Sequence, residues 1–236
     1  MNRPDGRAAP GQDWDDRLTG DSDSVREDVT PELLVCTALV RGDLVDGCTS
    51  SVLLGPDERY PMAHTDAHAR RLDEVQFTLW EGPGPEAVDR GVPRWVADVR
   101  DSRQWPLLGD ALAGSPVRGM VALPLLTPVG PVGLFTAYRR RPGRFAPSDV
   151  ASLVAFADAV ATLALGRIDA DRDGPLPRPQ VGVAVGRVMA HHQLDAEDAL
   201  SMLRAYAFRT GRTVMQVAGD LTSGRSAPAD LDDGRR

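Results

Sequence analysis

The sequence contains no lysine and only two cysteines, and the scarcity of cysteine bears on the compartment in which the protein works. All 27 basic residues are arginine, which together with abundant alanine, glycine and proline reflects the coding bias of a GC-rich genome more than a function. Cys36 and Cys48 stand at a spacing that forms neither a metal-binding nor a redox motif. We therefore expect a reducing, cytoplasmic compartment.

The sequence also lacks a long apolar run and an excess of positive charge. No stretch approaches the roughly twenty apolar residues of a bilayer span, and the acidic N-terminus is not typical of a signal peptide. We therefore expect no membrane association. The net charge of −7 argues against nonspecific binding of the whole molecule to nucleic acid or anionic lipid. With 236 residues, the chain has room for two domains, or for one domain and a small module.

Composition divides the chain into two folded units. Residues 1–28 and 226–236 are rich in charge, glycine and proline, and we predict that they are disordered tails. Residues 167–180 carry three prolines and alternating charges, which is typical of a linker. The folded units are then residues 29–166 and 181–225.

The first unit has the pattern of an α+β domain. Thr30 and Pro31 predict the start of a helix, and apolar residues at helical steps predict another helix over 147–166. Between them lie short apolar stretches separated by glycine and proline, which predict strands in hairpins, with an irregular crossing in the middle. These stretches are 48–54, 59–64, 93–99, 119–126 and 130–138. The pattern predicts an antiparallel sheet flanked by helices.

The second unit has the pattern of a small all-α bundle. Apolar residues recur at three- and four-residue steps from Val181, again from Ala196 and again from Val214. Asp195 is a good helix N-cap, and Thr213 with Gln216 forms a capping-box pattern. Three short helices of this kind can bury one shared core.

Residues 181–223 resemble the ANTAR domain, the RNA-binding module of bacterial transcription antiterminators. Three motifs carry the resemblance in order: A-x-G-x-x-M, A-x-x-x-L-R-x-Y-A and R-x-x-x-x-V-A. They correspond here to Ala184, Gly186 and Met189; Ala199, Leu203, Arg204, Tyr206 and Ala207; and Arg212, Val217 and Ala218. Val183 stands where many relatives have glutamine, so this position can make no side-chain hydrogen bond.

The resemblance implies that cations and aromatic rings of this unit hold RNA hairpin loops. The candidate RNA-binding residues are Arg187, Arg204, Tyr206, Arg209 and Arg212. Arg209 and Arg212 flank one turn, so we expect their side chains to converge. We expect Phe208 to pack in the bundle and Tyr206 to face the solvent. His191 and His192 end the first helix, where they cap it or touch RNA.

The unit from 29 to 166 resembles the GAF domain. The resemblance rests on the segments VQFTLWEGPGPEAVDRGVPRWVADVRDSRQWP and VRGMVALPLLTPVGPVGLFTAY, and on the order of the helices. It implies a sensing or dimerisation domain with an unidentified small-molecule ligand, and Trp80 could line its pocket. Many relatives have cysteine where this chain has Gly84, so the resemblance implies neither thiol-dependent sensing nor chromophore attachment here.

The remaining polar residues form no pattern typical of an enzyme. His64 and His68 are four residues apart, as two metal ligands on one helix would be, but they follow a strand and no third ligand stands nearby. We find no glycine loop, nucleophile elbow or carboxylate pair. The sequence therefore predicts no catalytic residues, no cofactor and no metal site.

Together the two resemblances imply a transcription antitermination regulator that binds hairpin RNA as a homodimer. An alternative is a metabolite-sensing or protein-interaction protein whose degenerate ANTAR module no longer binds RNA. Val183 favours this alternative, as does the near balance of five arginines against four acidic residues over 181–225. DNA binding by the same helices is a third hypothesis, and it suffers from the same lack of positive charge.

Overall fold

The computed structural model describes residues 30–55, 58–101, 103–128, 130–170 and 180–232. The predicted tail 1–28 and residues 171–179 of the predicted linker lie outside the described residues. In chain order the helices and strands are α1 (Pro31–Arg41), β1 (Gly47–Gly55), β2 (Glu58–His64), α2 (Ala67–Leu79), α3 (Pro83–Arg90), β3 (Arg94–Val96), α4 (Pro106–Ala111), β4 (Gly119–Thr127), β5 (Gly130–Arg139), α5 (Pro147–Ala170), α6 (Gln180–His192), α7 (Ala196–Arg209) and α8 (Val214–Ser223). Short 3-10 helices occupy Val99–Asp101 and Pro228–Asp232.

The predicted antiparallel sheet is confirmed, with the strand order β2-β1-β5-β4-β3. The chain forms a hairpin between β1 and β2 and another between β4 and β5, as the glycine and proline residues between these strands indicate. The central pairing joins β1 to β5, with Thr49 opposite Thr136. The strand β3 is an edge strand of three residues that pairs only with β4.

Helices cover both faces of the sheet. On one face, α1 and α5 bury residues such as Cys36, Leu39 and Leu153 against Phe135 of β5. On the other face, α2, α3 and α4 form two further apolar clusters with β4 and β5. The residues of these clusters include Ala69, Leu72, Val75, Leu108, Leu112, Met120 and Tyr138, together with Ala87, Ala122 and Leu134. The domain therefore has two cores separated by one sheet.

The crossing between the two hairpins is not irregular as predicted, since it contains the helices α2, α3 and α4. The side chain of Asp66 caps α2 by accepting a hydrogen bond from the backbone N–H of Ala69 at 2.7 Å. Pro83 and Pro106 stand in the first turns of α3 and α4, where the missing N–H costs nothing. These helices bring the crossing back across the sheet and cover its second face.

The helix α5 is longer than predicted. It also contradicts the expectation that no stretch of the sequence approaches the apolar length of a bilayer span. It extends to Ala170, into the predicted linker. Residues 147–166 have a mean hydropathy of 1.6, so their length and composition alone would allow a bilayer span, and no other helix of the described ranges meets that test. Its buried residues Leu153, Val160 and Ala164 pack in the domain, as in a core helix of a soluble protein. However, only 28% of the span is buried, so an apolar face remains open.

The three predicted C-terminal helices are confirmed as a bundle. Asp195 caps α7, and Thr213 and Gln216 form the predicted capping box at the start of α8. The bundle buries small and medium apolar side chains in one core. These are Val181, Ala184, Val188, Ala199, Leu200, Leu203, Ala207, Val214, Val217, Ala218 and Leu221.

The predicted disordered tail after residue 225 is structured as far as Asp232. The 3-10 helix Pro228–Asp232 places Leu231 in the core of the bundle, with 5% of its surface exposed. The ring Nε2 of His192 lies 3.0 Å from the carbonyl oxygen of Pro228, which joins this short helix to the end of α6. Leu231 and the contact of His192 with Pro228 thus anchor the segment, although its composition is typical of disorder.

Candidate nucleic-acid interface

The arginines predicted to bind RNA are distributed over several sides of the bundle. Arg187 is exposed on α6 and donates a hydrogen bond to the carbonyl oxygen of Leu221 at the end of α8. Arg209 is exposed at the end of α7, with its guanidinium 5.2 Å from the ring centre of Tyr206. Its Nη2 lies 3.4 Å from the carbonyl oxygen of Leu231.

Arg212 does not converge with Arg209, because it turns toward α8. Its Nη2 donates to the carbonyl oxygen of Gln216 at 3.1 Å and to the carboxylate of Asp220 at 2.5 Å. Asp220 also accepts a hydrogen bond from Arg225 at 2.7 Å. Burial pulls the pKa of Asp220 upward, but the hydrogen bonds from Arg225 and Arg212 outweigh it and hold the pKa below its ordinary value.

The expectation for the two aromatic residues of α7 is wrong. Phe208 has 51% of its surface exposed, whereas Tyr206 is half-buried and packs against the bundle core. The reason is the position of the buried stripe, since Leu203 and Ala207 point inward and Phe208 follows Ala207 by about 100° around the helix. An exposed phenylalanine beside Arg209 is a surface on which a base can stack.

Arg204 differs from the other candidates because it lies in the contact between the bundle and α2. Its guanidinium carbon is 4.4 Å from the ring centre of Trp80 and 5.3 Å from that of Phe77. Its Nε donates to the carbonyl oxygen of Phe77 at 3.3 Å. Cation–π contacts of this kind contribute about 0.5–2 kcal/mol, with the larger values in desolvated sites.

Further contacts join the same two parts of the chain. The buried backbone N–H of Val214, in the first turn of α8, donates to the hydroxyl of Thr78 at 3.0 Å. Phe77 has only 4% of its surface exposed and belongs to the core of the C-terminal bundle, with Trp80 packed beside it. Burial raises the pKa of the neighbouring Glu74 above its ordinary value, although Arg70 opposes the shift. We call the contact made by Phe77, Thr78, Trp80, Arg204 and Val214 the interdomain contact.

A second group of polar side chains is buried inside the N-terminal domain, between the sheet and α2. The side-chain atoms Gln76 Nε2, Ser51 Oγ and Thr136 Oγ1 have no hydrogen-bond partner among the described residues. The other amide atom of Gln76 accepts a hydrogen bond from the N–H of Gly84 at 2.7 Å. A Cβ atom at Gly84 would lie 2.8 Å from this amide oxygen and 2.8 Å from Leu134. Gln76 therefore fills the space that a side chain at position 84 would need.

Three of the four tryptophans of the sequence border one surface groove. Trp95 on the edge strand has 53% of its surface exposed, and Trp105 lies opposite with 8% exposed. This part of the groove has a volume of about 440 Å³, and a neighbouring part of about 250 Å³ reaches Trp80. Glu86 lies between the arginines of the groove and pairs with Arg94 at 2.9 Å.

No group of three metal-binding side chains occurs in the ranges that the structure describes. His64 is the last residue of β2, and His68 lies in the first turn of α2. Their spacing therefore does not place them on one helix face.

Comparison with protein families decides the assignment of both domains. The family model of the GAF domain matches residues 33–163, which is more than half of the chain. The chain belongs to the GAF domain family. The family model of the ANTAR domain matches residues 177–221, so the C-terminal bundle is an ANTAR domain. Both are regulatory domains, and this pair supports RNA-based regulation under a sensory domain.

Solved structures that are similar to this chain include several GAF domains. One is the GAF domain of a phosphoenolpyruvate-protein phosphotransferase from Coxiella burnetii, with 16% identity, a TM-score of 0.48, and coverage of 68% of this chain and 94% of that chain. The corresponding Acinetobacter domain has 12% identity and a TM-score of 0.47, with coverage of 68% and 96%. A free methionine-R-sulfoxide reductase from Thermoplasma acidophilum has 16% identity and a TM-score of 0.41, with coverage of 56% and 88%. A search of curated proteins found no match.

Sequence reasoning identified Arg204 but missed its partners in the GAF domain. Phe77 precedes Arg204 by 127 residues, and no local pattern reports a contact over such a distance. The segment VQFTLW nevertheless indicates a second packing partner, because its apolar residues face more sides of the helix than packing against a sheet requires. A helix that is apolar on two faces has two partners to pack against.

Proposed function

We propose that this protein is a cytoplasmic RNA-binding regulator of transcription antitermination. The ANTAR domain binds hairpins in nascent transcripts, and the GAF domain senses a signal or dimerises. The observation that carries the proposal is the ANTAR match over 177–221, together with the folding of residues 180–221 as the expected bundle. We propose Arg187, Arg204, Tyr206, Arg209 and Arg212 as RNA-binding residues, and the exposed ring of Phe208 extends this surface.

We further propose that the protein acts as a homodimer through α1 and α5. The open face of α5 exposes 37% of Val154 and 38% of Leu165, and α1 beside it exposes 58% of Leu34. Burial of such side chains between two copies is favourable, whereas their exposure in a monomer is not. Two ANTAR domains in one dimer bind two hairpins with avidity, so weak single contacts suffice.

The GAF ligand, in this proposal, is a small polar molecule. The free hydrogen-bonding groups of Gln76, Ser51 and Thr136 supply its first partners, because buried polar atoms gain most from a new hydrogen bond. The close packing at Gly84 means that the ligand displaces side chains when it binds.

A titration against RNA with two hairpins tests the RNA function, with duplex DNA as competitor. The variant Arg209→Ala/Arg212→Ala is expected to lose at least tenfold in affinity, since each phosphate or base contact contributes about 1–3 kcal/mol. The matched control is Arg41→Ala/Arg141→Ala, which removes the same charge from exposed positions of the GAF domain. Equal losses in both variants would mean that only the overall charge matters.

The second candidate is a sensor whose ANTAR domain no longer binds RNA. It is favoured by the internal bonds of Arg187, Arg204 and Arg212, which leave little free cationic surface. A protein of this kind would show ligand-induced thermal stabilisation and no response to RNA at low salt.

A further inference from the structure

The helix α2 of the GAF domain packs against other parts of the protein on two faces. On one face, Leu72, Val75 and Gln76 pack toward the sheet and the buried polar group. On the opposite face, Phe77 lies in the core of the ANTAR bundle. Adjacent residues of one helix therefore contact the sensor interior and the output domain, which connects the two physically.

The chemistry of the interdomain contact is the chemistry by which proteins hold unpaired bases. An arginine guanidinium stacks on the planar rings of splayed RNA bases. In this structure Trp80 and Phe77 offer planar rings to the guanidinium of Arg204 at 4.4 and 5.3 Å. With the rings of both Trp80 and Phe77 against it, the guanidinium of Arg204 has little surface left on which a base can stack.

We propose that the interdomain contact is autoinhibitory, with Phe77 and Trp80 occupying the surface of Arg204 that an RNA base would otherwise take. Release of the ANTAR domain from α2 then makes Arg204 available. This inference rests on the proposed RNA function and adds how that function is switched off.

The backbone connects the contact at Trp80 to the interior and the surface groove of the GAF domain. Trp80 ends α2 in the left-handed conformation, with a φ of 49°, and leads directly into Glu81 and Gly82. The carboxylate of Glu81 accepts a hydrogen bond from the N–H of Leu108 at 3.1 Å, and Trp80 also lines the surface groove. A ligand that rearranges Gln76 or the segment after Trp80 therefore alters the ring that holds Arg204.

The size of the effect follows from the population of the closed state. RNA that binds only the open state has an apparent affinity reduced in proportion to the fraction of open molecules. Couplings between sites in proteins typically amount to about 5- to 150-fold. A variant that opens the contact is therefore expected to bind RNA at least about fivefold more tightly than the original chain.

The test uses the full chain and two opening variants. Trp80→Asn removes the ring but tolerates the left-handed backbone, and Thr78→Val keeps the side-chain shape while removing the acceptor for the Val214 N–H. The matched control is Trp95→Asn, which makes the same change at an exposed tryptophan outside the contact. Amide hydrogen exchange at Val214 reports opening directly, because that N–H is bound to Thr78.

Two measurements are made on each chain: the exchange rate of the Val214 amide and the Kd for a two-hairpin RNA. The proposal expects faster exchange and at least fivefold tighter binding in both opening variants, with neither change in Trp95→Asn. It also expects that adding Arg204→Ala to Trp80→Asn abolishes the gain. Faster exchange with an unchanged Kd would overturn the autoinhibition alone. Absence of RNA binding by every chain, including the opened ones, would reject the RNA function and the autoinhibition with it.

Discussion

The carboxylate of Asp220 reduces the positive charge near the proposed RNA surface. It binds Arg212 and Arg225 together, so two of the five arginines of the bundle are partly neutralised. Its pKa below the ordinary range keeps it ionised at any pH at which RNA binding would be measured. The other three acidic residues of the bundle, Asp195, Glu197 and Asp198, lie at the start of α7, so Asp220 is the carboxylate that acts on Arg212 and Arg225.

Removal of this charge is expected to strengthen RNA binding. The variant Asp220→Asn keeps the shape of the side chain but frees Arg212 to meet phosphate, with an expected gain of about two- to tenfold at low salt and a smaller gain at high salt. The measurement is the Kd for hairpin RNA at two salt concentrations. Asp158→Asn removes a charge from the exposed side of α5 and is expected to change little. A similar gain in both variants would show that net charge alone is responsible.

A second residue-scale feature is the ion pair between Asp98 and Arg118 beside the edge strand. Arg118 Nε donates to the carboxylate at 2.9 and 3.1 Å, and the N–H of Arg100 donates at 3.1 Å. The hydrogen bond from Arg118 is the main cause that lowers the pKa of Asp98. A carboxylate whose pKa is lowered by folding stabilises the fold at any pH above its pKa in the unfolded chain, here 3.8. This contribution disappears as the pH falls through the lower pKa of the folded chain.

Asp98→Asn is therefore expected to lower the melting temperature by about 2–6 °C at pH 7, since it weakens charge-assisted hydrogen bonds. Below pH 3.8 the difference between the variant and the original chain is expected to shrink, because Asp98 then binds a proton in the unfolded chain more readily than in the folded one. Thermal unfolding of the variant and of the original chain, followed by circular dichroism, measures the difference in melting temperature at pH 7 and at acid pH. A difference that grows toward acid pH would contradict the assignment.

At the scale of elements, the long helix α5 combines a buried stripe with an open apolar face. The variant Val154→Glu places a charge in the proposed dimer interface and is expected to shift the protein to monomers, because burial of an unpaired carboxylate is costly. Sedimentation equilibrium measures the shift. The matched control is Leu107→Glu on α4, an exposed leucine on another side of the domain. Dimers that persist in Val154→Glu would exclude this face.

The elements differ in how far the sequence predicts them. The helix α1 was predictable from Thr30 and Pro31, and α5 from its many turns of regular apolar spacing. The helices α3 and α4 have eight and six residues, so they contain too few turns for a periodic pattern to stand out. The candidate RNA-binding arginines came from the family resemblance, whereas their actual partners depend on tertiary contacts that no single sequence displays.

At the scale of the whole molecule, the GAF and ANTAR domains share part of one core. Phe77→Ala is expected to destabilise the ANTAR bundle by about 3–5 kcal/mol, the usual cost of deleting a buried phenylalanine. Hydrogen exchange in α7 and α8 should therefore rise although the mutation lies in the other domain. Phe156→Ala, at a partly buried position of α5, is the control and should affect only the GAF domain. Unchanged exchange in α7 and α8 would mean that the domains fold independently.

The place of Phe77 in the bundle core also bears on how such proteins arise. Regulatory domains are often pictured as exchangeable parts joined by a neutral linker. Here a recombination that gave this GAF domain a foreign ANTAR domain would have to supply a new fit for Phe77 and Trp80 as well. We therefore expect that substitutions in α2 are tolerated only together with matching changes in α7 and α8.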